Sequence, residues 1–309
     1  MAPRYIWRGI FLFGSILCLL GLILRVCTTK DSKKFIKGSK NPKGTRRKFF
    51  SCYWKPLLGT ALIWCLFDVV EYGLKQNDNA IFKKNSMEGI DPRLKIRHSI
   101  LKVLVSRVLV IPSLLFAPWL LTKLCSKWVQ LIGFLGCLAA NLVLALGFHQ
   151  LKQYEVIFVG LYILQLSFQS LPGVTTMAIP AQIYPSVVRG TGAAISAACG
   201  KVGAVIGSFF FTYLKDAKQI NTIFWVVTIQ AGAALLLTAV LTPHYNGVTL
   251  DLAEGQAIDG KVKEAVRTLY SGPRKACELP DTSDLPDNDE LSSEESAGLS
   301  SDEVSSSSC

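Results

Sequence analysis

Hydrophobic residues gather in seven long blocks along the chain, and short polar connectors separate most of them. An α-helix rises 1.5 Å per residue, so crossing the roughly 30 Å apolar core of a bilayer takes about 20 residues. Each block is long enough, which predicts an all-α, polytopic membrane protein with seven transmembrane helices. The predicted helices lie near residues 6–26, 56–74, 100–121, 128–148, 156–183, 191–214 and 219–242.

The polar connectors predict how these helices are oriented. Segment 27–55 is almost purely basic, and by the positive-inside rule such a loop faces the cytoplasm. The first helix, in segment 1–26, would then run from outside to inside. If the connectors alternate between the two sides of the membrane, 75–99 lies outside, but its basic residues favour the cytoplasmic side. A basic start before an apolar core also suits a signal peptide, but no small-residue cleavage site follows.

The rest of the chain divides into a six-helix bundle, 56–242, and a tail, 243–309. The tail is acidic and rich in serine, and low hydrophobicity with high negative charge predicts a disordered cytoplasmic segment. Serines beside its acidic residues are candidate phosphorylation sites, although a merely solvated tail would have the same composition.

The composition agrees with a membrane protein. Half of the 309 residues are hydrophobic and the mean hydropathy is +0.36, which is too apolar for a soluble domain of this length. The net charge of +11 is uneven, because 14 of the 22 acidic residues follow Pro243. The basic remainder suits contact with anionic membrane lipids, and no nucleic-acid motif is present.

The composition also argues against an enzyme or a metalloprotein. Nine scattered cysteines without a CxxC pair, and only three histidines, predict neither a disulfide framework nor a metal site. We find no nucleophile–base pair, no phosphate-binding loop and no cofactor motif in the sequence.

One carboxylate interrupts the second apolar block. Asp68 lies within Pro56–Tyr72, where an ionisable group costs a few kcal/mol unless it is paired, protonated or hydrated. Trp64, Asp68 and Tyr72 are four residues apart and therefore share one helix face. The three polar groups together favour the wall of a cavity. The structural alternative is a pair of interfacial aromatic anchors around a buried counter-ion.

A second charge lies at a similar depth in another helix. Lys201 is 12 residues beyond Arg189 and Asp68 is 13 beyond Lys55, so both lie roughly 18–20 Å from the cytoplasmic boundary. Matched depth predicts an Asp68–Lys201 pair, in which attraction offsets much of the cost of both charges. Such a pair is either a structural salt bridge or a transport site that opens when a proton or an anion replaces a partner.

The helix of Lys201 is rich in small residues, which recur every four positions beside a Gly203-xxx-Gly207 motif. This spacing lets two membrane helices approach closely. The recurring residues are Gly192, Ser196, Gly200, Ala204 and Ser208.

The preceding helix carries a second unusual feature. Segment 171–176, Leu-Pro-Gly-Val-Thr-Thr, and Pro180 predict an interruption, and such breaks often line the substrate cavities of transporters. A simple proline kink is the alternative.

These segments carry a family resemblance. Residues 179–192, Ile-Pro-Ala-Gln-Ile-Tyr-Pro-Ser-Val-Val-Arg-Gly-Thr-Gly, and 195–207, Ile-Ser-Ala-Ala-Cys-Gly-Lys-Val-Gly-Ala-Val-Ile-Gly, resemble the major facilitator superfamily. Within it they are most similar to the proton-coupled inorganic phosphate transporters of fungi and plants. Residues 57–72 resemble the seventh helix of those proteins. The resemblance spans about 5–245, as helices six to twelve of twelve.

The resemblance implies the C-terminal half of a major facilitator fold, a plasma-membrane location and proton-coupled phosphate symport rather than catalysis. Trp64, Asp68, Tyr72 and Lys201 would bind phosphate in a central cavity. Asp68 would also carry the coupled proton, because a neutral carboxyl tolerates a neighbouring anion better than a carboxylate does. The implied partners are inorganic phosphate, protons and membrane lipids.

Several positions depart from the family pattern. Gly173 stands where the family has an asparagine that binds phosphate, Gln182 replaces an acidic residue before the Arg189 turn, and 122–126 replaces an Asp-x-x-Gly-Arg loop. Together with Thr176, these residues are candidates for lining or gating the cavity. The first five helices of the fold are also missing. We therefore expect a truncated chain, or a half-transporter whose partner is an N-terminal half or a full-length transporter.

Two other functions fit the sequence. A related major facilitator porter for sugars, polyols or organic ions would keep the fold and change the substrate. A non-transporting membrane protein would instead associate with a full transporter through the face 192–208.

Overall fold

The structure, a computed structural model, describes residues 3–28, 49–81, 92–151, 153–217 and 219–271. Within these ranges the chain is helical and has no β-strand, which confirms the all-α class. The helices are α1 (Pro3–Thr28), α2 (Trp54–Ile81), α3 (Pro92–Lys123), α4 (Ser126–Leu146), α5 (Phe148–Leu151), α6 (Glu155–Ile183), α7 (Ser186–Asp216), α8 (Ile220–Leu241), α9 (Gly247–Ile258) and α10 (Val262–Ser271).

Seven helices among the described residues are long and apolar enough to span a membrane, namely α1 to α4 and α6 to α8. The seven predicted blocks are thereby confirmed, and the chain is an integral, multi-pass membrane protein. α3 begins at Pro92, well before the predicted start, because proline suits the first position of a helix. Most of the predicted basic loop, residues 29–48, lies outside the described residues.

The bundle is organised around α2 and α4. α2 packs along α7, α4 lies against both α6 and α8, and α3 packs on α6. A buried cluster joins these helices through the fully buried rings of Tyr162, Phe211 and Phe224. α1 differs, because its apolar side chains are exposed along its length, as expected of a helix that faces lipid.

α6 does not have the predicted interruption. It is one continuous helix with Pro172 and Pro180 inside it. The neighbouring α4 accommodates the first proline through a glycine, since a Cβ added at Gly133 would lie 2.4 Å from Pro172 Cδ. Membrane helices tolerate such prolines when neighbouring helices pack closely around them. The prediction of a break was therefore wrong, and the proline-rich stretch is a packed part of the helix.

The predicted disordered tail is also corrected in part, because α9 and α10 occupy much of 247–271. Asn246 begins α9 with a capping box, in which Thr249 N–H donates to Asn246 Oδ1 at 2.8 Å and Asn246 N–H donates to Thr249 Oγ1 at 2.8 Å. Buried side chains at helical spacing, Ala265 and Leu269 among them, pack these helices on the bundle. Residues 272–309 lie outside the described residues.

Candidate functional site

The polar face of α2 forms the centre of the candidate site. Trp64 is half-buried and packs over Gly200 of α7, where an added Cβ would lie 2.4 Å from Trp64 Cδ1. Asp68 is buried one turn further along, and Tyr72 is exposed after another turn. The sequence therefore placed these three residues correctly on one face, with the carboxylate the most deeply buried of them.

Lys201 of α7 contacts two of these residues. Its Nζ lies 3.4 Å from Asp68 Oδ2, donates to the Tyr72 hydroxyl at 2.8 Å, and lies 4.7 Å from the centre of the Tyr72 ring. The predicted Asp68–Lys201 pairing is thus present. The partners differ in burial, because the Lys201 side chain is 62% exposed and the Asp68 side chain 5%. The ammonium is available to a ligand while the carboxylate is largely covered.

Two glycines of α7 bring Lys201 this close to α2. A Cβ added at Gly203 would lie 2.1 Å from the carbonyl oxygen of Cys65, and one added at Gly207 would lie 1.9 Å from that of Val69. Only glycine permits such an approach between helix backbones. The predicted motif therefore sets the separation of the two helices that carry the site.

The small-residue face of α7 is consequently occupied within the chain. Ser196 Oγ and Thr60 Oγ1 lie 2.8 Å apart across the same contact, and Thr60 Oγ1 also lies 2.8 Å from the Tyr184 hydroxyl. Gly192, Ser196, Gly200 and Ala204 are all buried. This face is therefore not available to bind a full transporter, as one of the alternative functions required.

Glu71 and Lys75 extend the polar face of α2, although sequence reasoning did not single them out. Glu71 lies three residues after Asp68 and pairs with Lys75 one turn later. Gln169 Nε2 of α6 donates to Glu71 Oε2 at 2.8 Å, and Gln165 Nε2 donates in turn to Gln169 Oε1. The i, i+3 and i, i+7 spacing from Asp68 was the signal that could have identified this pair.

A small cavity lies behind this face, between α2, α4, α6 and α8. Gln165 Oε1 is buried there without a hydrogen-bond partner among the described residues. Polar residues are therefore continuous from the exposed face of α2 into the bundle. The lining includes Phe67, Phe134, Gln165, Gln169, Pro172 and Gln230.

Gly173 and Thr176 belong to α6 beside this region. A Cβ added at Gly173 would meet only Phe67 Cζ, at 3.3 Å. Thr176 is buried, and its hydroxyl donates to the Gly173 carbonyl oxygen at 3.3 Å. Thr176 lines a second small cavity together with Thr60 and Gln130. Both residues thus lie near the site, but neither contacts Asp68 or Lys201 directly in the described hydrogen bonds.

Gln182 and Arg189 lie at the other end of the bundle. Ser126 and Tyr245 both donate to Gln182 Oε1, each at 2.8 Å. Arg189 donates to the Tyr184 carbonyl oxygen at 2.9 Å and pairs with Glu254 of α9 at 3.0 Å. These two residues therefore tie the connector between α6 and α7 to α9, away from the Lys201 site.

A second buried charge network escaped sequence analysis. Asp78 of α2 accepts a hydrogen bond from the Tyr162 hydroxyl at 2.6 Å and pairs with Arg107 of α3. Asp78 and Tyr162 are buried. Arg107 inside an apolar block was the available signal, because a charge at that depth requires a partner. Its enclosure by three helices indicates a structural clamp.

The site as a whole suits an anion. An exposed ammonium is held by a phenol and a carboxylate, with an indole one turn away. Among the described residues no group of three or more His, Cys, Asp or Glu side chains could hold a metal ion. The arrangement offers binding and exchange of a proton or an anion, since its polar groups are a charge pair and hydrogen-bond donors.

Comparison with known proteins places these residues in a family context. A family model described as "Sugar (and other) transporter" matches residues 28–256. Glycerophosphoinositol permease 1 of Candida albicans is 27% identical over 246 residues, which is 77% of this chain and 46% of the permease. Probable inorganic phosphate transporter 1-6 of Arabidopsis thaliana is 30% identical over 229 residues, or 71% and 44% of the two chains.

Probable inorganic phosphate transporter 1-12 of Oryza sativa subsp. japonica is 31% identical over 226 residues. The match covers 66% of this chain and 41% of the rice protein. The chain therefore spans less than half the length of these three relatives.

Proposed function

This chain belongs to the sugar (and other) transporter family of the major facilitator superfamily, and we propose that it contributes the anion site of a proton-coupled inorganic phosphate symporter. Families of this kind move solutes and do not carry out enzymatic chemistry. The relatives named above support the choice of a phosphate-bearing substrate, since their names denote either inorganic phosphate or a phosphodiester.

The observation that carries the proposal is the unequal burial of the Asp68–Lys201 pair. Lys201 keeps its ammonium exposed while Tyr72 and Asp68 hold it in place. A structural salt bridge satisfies both charges permanently. Here one partner is open to solvent, so an anion can contact Lys201 without first unfolding any part of the bundle.

The coupling we propose follows from charge balance. While Asp68 is ionised it neutralises Lys201, and an incoming phosphate competes with it. Once Asp68 is protonated, Lys201 carries a net positive charge that attracts phosphate. A proton and a phosphate then bind together, and the loss of either one weakens the retention of the other. Trp64 and Tyr72 offer an N–H and an O–H donor on the same face.

The opposite wall of the cavity is a further part of the proposal. α2 and α7 present Tyr72 and Lys201 on an exposed side of the bundle, and alternating access in this superfamily requires two bundles to rock around a shared site. We propose that a matching bundle, in the same polypeptide or in a partner, faces Lys201 at a plasma membrane and that both bundles contact membrane lipid.

The test is uptake of radiolabelled phosphate by yeast cells that lack their own phosphate transporters. The cells express this chain alone, or this chain fused to the N-terminal half of a phosphate-transporting relative. Lys201→Ala should abolish uptake by the active form, and Asp68→Asn should remove the dependence of uptake on external pH. Lys215→Ala is the matched control, because Lys215 pairs only with the exposed neighbouring Asp216 in the described ion pairs.

Two outcomes would contradict the proposal. Uptake of a sugar or an organic ion, but not phosphate, would make the substrate wrong and favour a related porter. If the Asp68→Asn variant transports phosphate with an unchanged pH dependence, Asp68 does not carry the coupled proton.

A further inference from the structure

We infer that one water molecule is bound inside the bundle, in the cavity behind the polar face, where it donates a hydrogen bond to Gln165 Oε1 and pairs with the carboxamide of Gln230. Both partners belong to the core of the bundle, so the water is bound whichever substrate the exposed site takes. The sign of this site is a hydrogen-bond chain that ends on an unpaired oxygen.

The hydrogen-bond chain begins at Glu71, which fixes the orientation of the amides behind it. Glu71 pairs with Lys75, and a carboxylate can only accept, so Gln169 must present Nε2 to it. Gln169 Oε1 then accepts from Gln165 Nε2, and Gln165 Oε1 is the atom left over. Flipping either amide would bring two acceptors together. The missing partner of Gln165 is therefore a hydrogen-bond donor.

The depth of Gln165 makes an unpaired oxygen costly. Gln165 lies ten residues after Glu155, where α6 begins, which is about 15 Å along the helix and close to the middle of a 30 Å apolar core. Its side chain is buried and cannot extend to the headgroup region. A polar group without a partner in hydrocarbon is strongly disfavoured. The donor must therefore lie within the bundle.

The cavity supplies both room and a second polar partner. The space open to the centre of a water-sized sphere is about 10 Å³, which is what one water requires. Gln230 lines the same cavity, ten residues after α8 begins at Ile220. Because α7 crosses the membrane between them, α6 and α8 begin on the same side, so Gln165 and Gln230 lie at the same depth.

Water fits this cavity better than an ion does. The lining contains no carboxylate, and a metal cation such as Ca²⁺ takes six or more oxygen ligands. An anion would meet the Gln165 oxygen and be repelled. Water is neutral, donates two hydrogen bonds and accepts two, and can pair with both amides. It would tie α6 to α8 and, through Gln169, hold Glu71 in place beside Asp68.

Radiolytic hydroxyl labelling of the purified full chain in lipid nanodiscs tests for the water directly. Bound waters yield radicals that oxidise adjacent side chains, and ¹⁸O-water marks the product for mass spectrometry. Phe134 lines the cavity, whereas Phe224 is a buried ring of the core cluster outside it and serves as the matched control. We expect oxidation of Phe134 but not of Phe224, and Gln230→Leu should abolish the oxidation of Phe134.

Thermal unfolding provides an independent test in which the two possibilities differ in sign. If water bridges Gln230, Gln230→Leu should lower the unfolding midpoint by at least about 2 °C, because a hydrogen bond is lost. Without the water, the same change replaces a buried amide with hydrocarbon in an apolar site, and the midpoint should stay the same or rise. Gln76→Leu on the exposed side of α2 is the matched control and should leave the midpoint unchanged.

Three outcomes would overturn the assignment. Equal labelling of Phe134 and Phe224 would show that the cavity is dry, and a lowered midpoint without labelling would indicate that Gln165 pairs with Gln230 directly. An unchanged or raised midpoint for Gln230→Leu would also contradict the bridge. If Phe134 is still labelled in folded, monodisperse Gln230→Leu protein, the water is not held by that amide. Phosphate uptake enters neither measurement, so these results and those for the proposed function stand apart.

Discussion

The close crossing of α2 and α7 yields a quantitative prediction. An alanine at Gly207 would place its Cβ 1.9 Å from the carbonyl oxygen of Val69. A carbon–oxygen contact needs about 3.3 Å, so the helices must separate by roughly 1.4 Å. The obstructing atom belongs to the backbone and cannot rotate away. Overpacking of this kind typically costs about 1–3 kcal/mol.

Gly160→Ala is the matched control, because it makes the same chemical change where nothing lies within 4 Å. Alanine favours a helix over glycine by up to about 1 kcal/mol, so the control should be neutral or slightly stabilising. The two variants therefore differ in the sign of the expected change, although each adds a single methyl group.

The assay is the apparent midpoint of thermal unfolding of the purified protein, followed by fluorescence-detected size-exclusion chromatography. A cost of 1–3 kcal/mol should lower the midpoint of Gly207→Ala by at least about 2 °C, using 2–4 °C per kcal/mol for chains of 150–250 residues. Equal midpoints for Gly207→Ala and Gly160→Ala would refute the backbone contact, and with it the account of how Lys201 reaches Asp68.

Two further predictions concern other parts of the bundle. Arg107→Leu should destabilise the protein by about 3–5 kcal/mol, because Asp78 stays buried without its cationic partner. The double variant Arg107→Leu/Asp78→Leu should recover most of that stability. If thermal unfolding shows that the two substitutions destabilise additively, the structural clamp is contradicted. Burial raises the pKa of Tyr245 and Tyr270 above the ordinary 10 in the folded protein. Above about pH 10 these phenols therefore lose their protons in the unfolded chain but not in the folded one, and the free energy of unfolding should fall as the pH rises. Tyr245→Phe should reduce the pH dependence of the thermal unfolding midpoint between pH 8 and 11. An unchanged pH dependence would contradict the role of Tyr245 burial.

Sequence periodicity captured the membrane helices and the main charge pair for simple physical reasons. Long apolar blocks are required of any helix that meets lipid, and they are visible without knowledge of the fold. The depth of Asp68 and Lys201 followed from counting residues at a fixed rise. The Gly203 and Gly207 motif predicted a close helix contact, although only the structure showed that α2 is the partner.

The features that were missed depend on contacts between distant segments. Glu71 is held by Gln169 on α6, about a hundred residues away; its spacing from Asp68 indicates the shared helix face but not this partner. α9 and α10 were assigned to a disordered tail because the composition was averaged over 243–309, which hid two short helices at its start: α10 is amphipathic, and α9 packs through small buried residues. The prolines of α6 were interpreted by their intrinsic tendency to break helices, and the packing of Pro172 against Gly133 overrides that tendency.

The close contact between α2 and α7 and the exposed Lys201 ammonium have complementary roles in the proposed mechanism. Gly203 and Gly207 hold the backbones of α2 and α7 in direct contact, so neither helix can move relative to the other without opening a void. The Lys201 ammonium, by contrast, is at the end of four methylene groups and is mostly exposed. In the mechanism we propose, the ammonium would leave Asp68 for an anion by side-chain rotation alone. Exchange of the partner then costs little packing energy, and rocking would move α2 and α7 together as a single wall.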